Sequence, residues 1–402
     1  MFHLDRFIAD YVTKREKSMF LTDIEKNKEE LTKKIADKTV LVIGGAGSIG
    51  SSFIRAILPF KPASLVVVDT NENALAELTR DLRSTKGMFV PEEYITYPMD
   101  FSSEVFQKMF VSRNGFDIVA NFSAHKHVRS EKDIYSVEAL LKNNVLHAKL
   151  LLDLLVEYPP EEYFCVSTDK AANPVNIMGA SKRIMEDVIF SYSDRFPVKT
   201  ARFANVAFSN GSLPAGFLAR MQKLQPLSAP FDVTRYFVSP EESGQICMLS
   251  CMLGENREIF FPKLNTEQMM SFDEIARKLL EVQGYEVLLC DSDEEAIDKA
   301  EDLKNGSKKY PVHFAVSDTS GEKEYEEFFT DSEDVELERF LSLGVVINKT
   351  IPDTNKIDIL FEKLNEAFSK ENVEKEVIVS IMKEYLPNFE HIEKGKSLDS
   401  KM

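Results

Sequence analysis

The chain has 402 residues, 44% of them hydrophobic, enough for a large buried core and two lobes. Its 49 basic and 66 acidic residues leave a net charge of −17, which argues against a nucleic-acid or anionic-membrane partner. Four cysteines, at 165, 247, 251 and 290, show neither paired disulfide spacing nor a C-x-x-C zinc pattern, so no metal is expected and a reducing cytoplasm is the default setting.

Residues 1–37 are charged and helix-prone. Phe2, Phe7, Ile8 and Val12 form an apolar stripe expected to dock on the body or on another subunit, and the interspersed Asp5, Arg6, Asp10, Lys14 and Arg15 exclude a signal peptide. No run in the chain approaches the roughly 18 apolar residues of a membrane span. Residues 38–208 read as a dinucleotide-binding domain. Thr39 to Leu58 is an apolar strand, a glycine turn and an amphipathic helix, with glycines at 44, 45, 47 and 50. Small residues let the backbone approach a pyrophosphate, and the helix amino terminus offers free amides, so Gly44, Gly47, Ser48, Ile49 and Gly50 are the expected cradle. Leu65 to Asp69 is a second buried strand ending in a carboxylate placed to accept hydrogen bonds from an adenosine ribose. Thr70 and Asn71 follow and offer no cation for a 2′-phosphate, which favours NAD over NADP. Asp100, Ser123 and Ala124 complete the expected cofactor contacts in this half.

Asn114 to Val128 predicts a further strand and loop, and Ser136 to Tyr158 a long helix. Phe164 to Lys170 is an apolar run ending in polar residues, and Pro174 holds off any helix until about Ile177. Those polar residues therefore sit at a strand's carboxyl end, where open α/β sheets bind ligands. The helix from Met178 to Phe190 puts Met178 and Lys182 on one face. RFANV, from Arg202, reads as a strand, and Ser209 to Gly216 opens a smaller lobe, residues 209–402 being mainly substrate-binding and interleaved with the core. Between Asp291 and Phe340 there are 17 acidic and 6 basic residues, which reads as a solvated face or mobile insertion. The fold expected is α/β: a Rossmann-type doubly wound parallel sheet with a smaller interleaved substrate-binding lobe.

VLVIGGAGSIGSS (from Val40), AHKHV (from Ala124), STDKAANPVNIMGASKR (from Ser167), RFANVAFSNGS (from Arg202), DVTRYFV (from Asp232) and SGEKEYEE (from Ser320) together resemble the UDP-N-acetylglucosamine 4,6-dehydratases of the CapD-like polysaccharide-biosynthesis group, extended short-chain dehydrogenases/reductases. Ile43 and Ala204 depart from a usual threonine and glycine, and Ser317 to Lys323 lacks the arginine of the usual GLRPGEK version. Larger relatives carry membrane helices ahead of the catalytic part.

The resemblance implies bound NAD, a nucleotide-sugar substrate and a homo-oligomer. Oxidising carbon 4 of a hexose makes its carbon 5 proton acidic, and water can then leave across carbons 5 and 6. By resemblance Asp169 is the acid and Lys170 the base, with Thr168 on the carbon 4 hydroxyl and Lys182 on the nicotinamide ribose. Desolvation would raise the aspartate and lower the lysine, whereas their adjacency opposes both shifts. Met178 stands where the commonest pattern has a tyrosine base, and tyrosine-containing relatives are the ones associated with inversion at carbon 5. Lys126 and His127 match a segment near nicotinamide and sugar, while Arg235, then Arg220, with Asn205, are the expected partners of the diphosphate. An NDP-sugar 4-epimerase, which needs the missing tyrosine, and a noncatalytic NAD-binding module are the alternatives.

Overall fold

Apolar runs such as Thr39–Ile43 and Ser64–Asp69, hydrophobic at nearly every position, can be satisfied only by burial on both faces. In the computed structural model, which describes residues 2–127, 131–317, 323, 325, 327–348 and 350–392, they lie at the centre of a nine-stranded sheet. The strands in chain order are β1 Thr39–Ile43, β2 Ser64–Asp69, β3 Glu93–Pro98, β4 Ile118–Asn121, β5 Glu162–Val166, β6 Val198–Ala201, β7 Asn205–Val206, β8 Leu227–Pro230, β9 Thr234–Val238, β10 Glu258–Pro262, β11 Met269–Ser271, β12 Glu286–Leu289, β13 Lys309–Ala315, β14 Val335–Glu336 and β15 Leu343–Ile347. The large sheet runs β14-β15-β10-β6-β5-β4-β1-β2-β3, parallel from β10 to β3, with β14 and β15 antiparallel at one edge. Strand order reverses between β1 and β4, and the crevice above that switch point is where such sheets bind ligands.

The helices are α1 Leu4–Phe7, α2 Leu21–Lys26, α3 Lys28–Ile35, α4 Ser48–Ile57, α5 Glu72–Ser84, α6 Glu104–Ser112, α7 Ile134–Leu141, α8 His147–Glu157, α9 Ile177–Phe190, α10 Leu213–Gln222, α11 Pro240–Leu253, α12 Phe272–Val282, α13 Asp293–Lys299, α14 Glu301–Lys304, α15 Thr354–Phe368 and α16 Lys375–Tyr385. Two three-stranded sheets, β11-β9-β7 and β12-β13-β8, form the smaller lobe with a core of its own around Phe217, Phe237, Leu279 and Tyr310. The chain leaves this lobe at β10 and again at β14 and β15 to rejoin the large sheet, so the two lobes are interleaved.

Two sequence expectations need correction. The helix expected over Ser136 to Tyr158 starts earlier, where Asp133 caps it, and is broken by a π turn at Lys142–Leu146; there the buried Asn144 amide bonds the His125 backbone and the Ser181 hydroxyl rather than facing away. RFANV is not one strand: β6 ends at Ala201 and β7, in another sheet, begins at Asn205. The break comes where Arg202 turns wholly into the interior to meet two carboxylates. Phe7, Ile8 and Val12 dock as expected, joining the smaller lobe's core beside Phe208, with Phe2 packed at its margin. The acidic stretch is ordered over α13, α14 and β13; residues 318–322, 324 and 326 of it, with most of the SGEKEYEE segment and Val128, lie outside the described residues. Among the described residues no helix is long and apolar enough to cross a membrane, and no cluster could hold a metal.

Candidate active site

The glycine turn after β1 is shaped by close approach. Gly44 has a φ of +70°, and a Cβ there would lie 2.7 Å from the Ser123 nitrogen in the loop after β4. At Gly50 a Cβ would meet the Gly44 oxygen at 2.4 Å, so only glycine lets α4 start this tightly over the strand. Gly47 caps α4 in extended conformation, and Ser48, Ile49 and Gly50 form its first turn. Asp69, at the end of β2, accepts from the Ala46 amide (3.0 Å) and the Asn71 amide (2.9 Å), each through one oxygen, which leaves lone pairs for a ribose hydroxyl. These residues fit a dinucleotide: a cradle that a side chain would fill, an open helix amino terminus and a carboxylate at the ribose end. Asp100 lies on the exposed turn after β3, where its carboxylate caps Ser102, and Ser123 and Ala124 flank the crevice.

Thr168, Asp169 and Lys170 leave the carboxyl end of β5 in a short 3-10 turn. The Asp169 carboxylate is 4% exposed, and its Oδ1 accepts from the Thr168 hydroxyl (2.8 Å), the Lys170 amide (2.9 Å) and the Lys170 ammonium (3.1 Å). The ion pair expected from adjacency therefore forms. Asn176 caps α9 by accepting from the Gly179 amide, and a Cβ on Gly179 would stand 2.6 Å from the Lys170 oxygen. MGASK thus allows the helix to abut the strand end. Met178 is buried, and so is Lys182, whose ammonium donates to the Val166 carbonyl at 3.0 Å. Burial pushes the Lys182 ammonium below its ordinary range, with Cys165 and Glu186 nearby opposing the shift.

Behind this turn is a network that sequence reasoning missed. Ser167 donates to Glu186 Oε1 (2.6 Å), Arg202 grips Glu186 through Nε (2.8 Å) and Nη2 (2.6 Å), and both Arg202 terminal nitrogens reach Glu333 at 2.9 Å. Burial works to raise the Glu186 carboxyl, but Arg202 outweighs it and holds the group below the usual carboxylate range. One signal was present: an acid one helical turn beyond Lys182, on the buried face of α9.

The smaller lobe meets the crevice at Asn210 and Gly211. The Asn210 amide donates to the Ser48 hydroxyl (2.9 Å), and Gly211, at φ +74°, lies so close to the His127 ring that a Cβ would be 2.9 Å from Nε2. Lys126 and His127 therefore stand at the lobe junction. Asn205 and Arg235 share one small sheet, through β7 pairing with β9; Arg235 is buried and donates to its neighbour's carbonyl, Thr234 O. Arg220 folds back on its own helix, donating to Gly216 O at 3.1 Å.

The model of a family described as polysaccharide biosynthesis protein matches residues 40–346. Over 87% of its length the chain is 29% identical to an uncharacterised membrane protein of Methanocaldococcus jannaschii, of which it covers 96%. It is 25% identical to the capsular polysaccharide biosynthesis protein CapD of Staphylococcus aureus over 85% of this chain, and spans only 53% of that longer protein. To a UDP-N-acetylglucosamine 4,6-dehydratase (inverting) of Campylobacter jejuni it is 23% identical, over 75% of this chain and 84% of that one. Among solved structures, Pen from Bacillus thuringiensis superposes with a TM-score of 0.63 at 20% identity, covering 78% of this chain and 89% of that one, which shows a shared fold.

Proposed function

Because the chain belongs to this polysaccharide biosynthesis protein family, we propose that it is an NAD-dependent dehydratase of a nucleotide sugar, UDP-N-acetylglucosamine first, yielding the 4-keto-6-deoxy derivative for surface glycan synthesis. The observation that carries this reading is the Thr168, Asp169 and Lys170 cluster at the end of β5, held against the start of α9 and on the same carboxyl edge of the parallel sheet as the glycine turn after β1. The glycine turn, Asp69 and Lys182 would hold NAD, which would supply an acceptor for the carbon 4 hydride and a source from which the same hydride reduces carbon 6.

The chain's own residues do the rest. Thr168 orients the carbon 4 hydroxyl, whose proton passes to a water held by Thr168 or to Lys170 as the hydride leaves. Lys170 takes the carbon 5 proton once the neighbouring carbonyl has made it acidic, and Asp169 gives a proton to the departing carbon 6 hydroxyl. For that, Lys170 passes its ammonium proton to Asp169 across their 3.1 Å contact, leaving a neutral amine as the base and a protonated carboxyl as the acid, an exchange that displacement of water by the sugar favours. The smaller lobe holds the nucleotide, with Arg235, Arg220 and Asn205 toward its diphosphate, and with Lys126 and His127 at the sugar. Four free thiols suit a cytoplasmic setting, and a homo-oligomer is expected on sedimentation.

The test is incubation with UDP-N-acetylglucosamine in deuterated water, followed by mass and NMR analysis of the product. Dehydration loses the mass of one water before isotope uptake is counted, with deuterium entering at carbon 5 and not at carbon 6, which regains the hydride taken from carbon 4. An unchanged mass would point to a 4-epimerase instead, a reaction against which the buried Met178 in the tyrosine position argues; no product at all would leave an NAD-binding module.

A further inference from the structure

The family match ends at residue 346, yet the segment beyond it returns to the active site. Lys375, at the start of α16, donates its ammonium to the Glu131 carbonyl at 2.8 Å. The Ile392 amide donates to the Val175 carbonyl at 3.1 Å, in the loop between Lys170 and α9. Phe389 is buried against the His391 ring, and His391 Nε2 stands 3.8 Å from Glu131 Oε2. Glu131 is the point on which two of these contacts, from Lys375 and His391, converge. It is only 8% exposed, and its other oxygen, Oε1, accepts from the Met178 amide at 2.9 Å.

That amide is one of the donors a helix leaves unpaired at its start, and a carboxylate there is also favoured by the helix dipole. Asn176 takes the Gly179 amide, so the two side chains together hold the first turn of α9. Gly179 in turn lies against the Lys170 carbonyl with no room for a Cβ. A continuous line of packed and hydrogen-bonded groups therefore runs from the C-terminal segment through Glu131 to the backbone of Lys170.

We propose that Glu131 is a positioning residue: braced by Lys375 and His391 of the C-terminal segment, it sets the first turn of α9 and thereby the placement of Lys170 and Lys182. The kinetic consequence rests on the dehydratase reading; the structural one does not. Lys170 must present its nitrogen to carbon 5 within a narrow range, and a displacement of about 1 Å at a reacting group costs on the order of a hundredfold in rate.

Two measurements on the full chain test this. Hydrogen exchange in Glu131→Ala is expected to show faster exchange of the amides from Met178 to Lys182, with β1 to β5 still protected. Turnover of UDP-N-acetylglucosamine is expected to fall roughly tenfold to a hundredfold in kcat, with KM unchanged. Glu131→Gln, which keeps an acceptor oxygen for the Met178 amide, should restore both, and His391→Ala should move both in the direction of Glu131→Ala. Wild-type exchange over 178–182 in Glu131→Ala, or a loss spread over the whole domain that Glu131→Gln does not repair, overturns the proposal. Should the wild-type chain show no dehydration, the dehydratase reading falls while the exchange data still decide this one.

Discussion

At Asp169 and Lys170 a structural ion pair and the proposed acid and base occupy the same atoms. A pair needed only for structure would tolerate its neutral counterpart, whereas a proton-transfer couple would not. Asp169→Asn and Lys170→Ala are therefore expected to lower turnover by about a hundredfold or more while bound NAD, measured by absorbance after denaturation, stays at the wild-type level. Retained turnover in either variant would remove the assignment. Met178 leaves no phenol at the start of α9, so one lysine can both take the carbon 5 proton and return it to the same face. The expected product keeps its carbon 5 configuration; reducing it at carbon 4 and reading the proton couplings checks this, and an arabino product would sink the stereochemical reading alone. Glu186 belongs to a different chemistry. Its folded carboxyl titrates below the ordinary value of 4.5, so the stabilisation it provides is fully present above pH 4.5 and is lost as pH falls through the lower folded value. Glu186→Gln, which leaves Arg202 partly uncompensated in the interior, should cost about 3–5 kcal/mol at pH 7. In a thermal unfolding series from neutral to acid pH, the gap between wild type and variant should narrow below pH 4.5; a gap independent of pH would mean that Glu186 is not ionised in the fold.

The helix proposed to carry the cofactor site, α4, packs against α11, and both lie on the large sheet. Gly244 in α11 has the backbone of Ser52 against it: a Cβ would stand 2.1 Å from the Ser52 oxygen and 2.8 Å from the Phe53 nitrogen. Backbone on both sides cannot yield as a side chain can, so Gly244→Ala should push α4 outward at a cost of about 1–3 kcal/mol. Because the first turn of α4 is the expected phosphate contact, the same variant should lose NAD content on gel filtration, even though residue 244 lies outside the glycine motif. Full NAD occupancy together with a lowered melting temperature would separate packing from binding and refute the coupling. The glycine turn and β1 were legible because tight turns and doubly buried strands demand particular residue types. Neither Gly244 nor the π turn at Asn144 was legible, since each answers to a neighbour more than thirty residues away in sequence.

Across the whole molecule, residues 2–35 join the two cores: Phe7, Ile8 and Val12 belong to the smaller lobe, Phe20, Leu31 and Ile35 to the large one. Between them Arg15 grips the nearly inaccessible Glu242 carboxylate through Nε (2.8 Å) and Nη2 (2.7 Å), and the Asp23 carboxylate receives the amides of Leu341 and Ser342 at 2.8 Å each. The segment is a strap across the lobes. Arg15→Ala leaves a buried carboxylate without its cation and should lower stability by about 3 kcal/mol, with limited proteolysis cutting first before residue 20. A wild-type digestion pattern would show that the apolar stripe alone holds the strap.

The sequence by itself determined the parallel sheet, the tight glycine turn after β1 and the strand-end cluster from Thr168 to Lys170, because each depends on local chemistry: hydrophobic runs, small residues at a turn, polar residues where a strand ends. Tertiary structure decided that Arg202 turns inward and divides RFANV between two sheets, that the amino-terminal stripe docks on the smaller lobe, and that Glu131 and the C-terminal segment bear on α9. Those outcomes join residues from 16 to 244 positions apart, and a buried arginine or glutamate is affordable only where the fold brings its partner; the pattern of one segment carries no record of a partner in another.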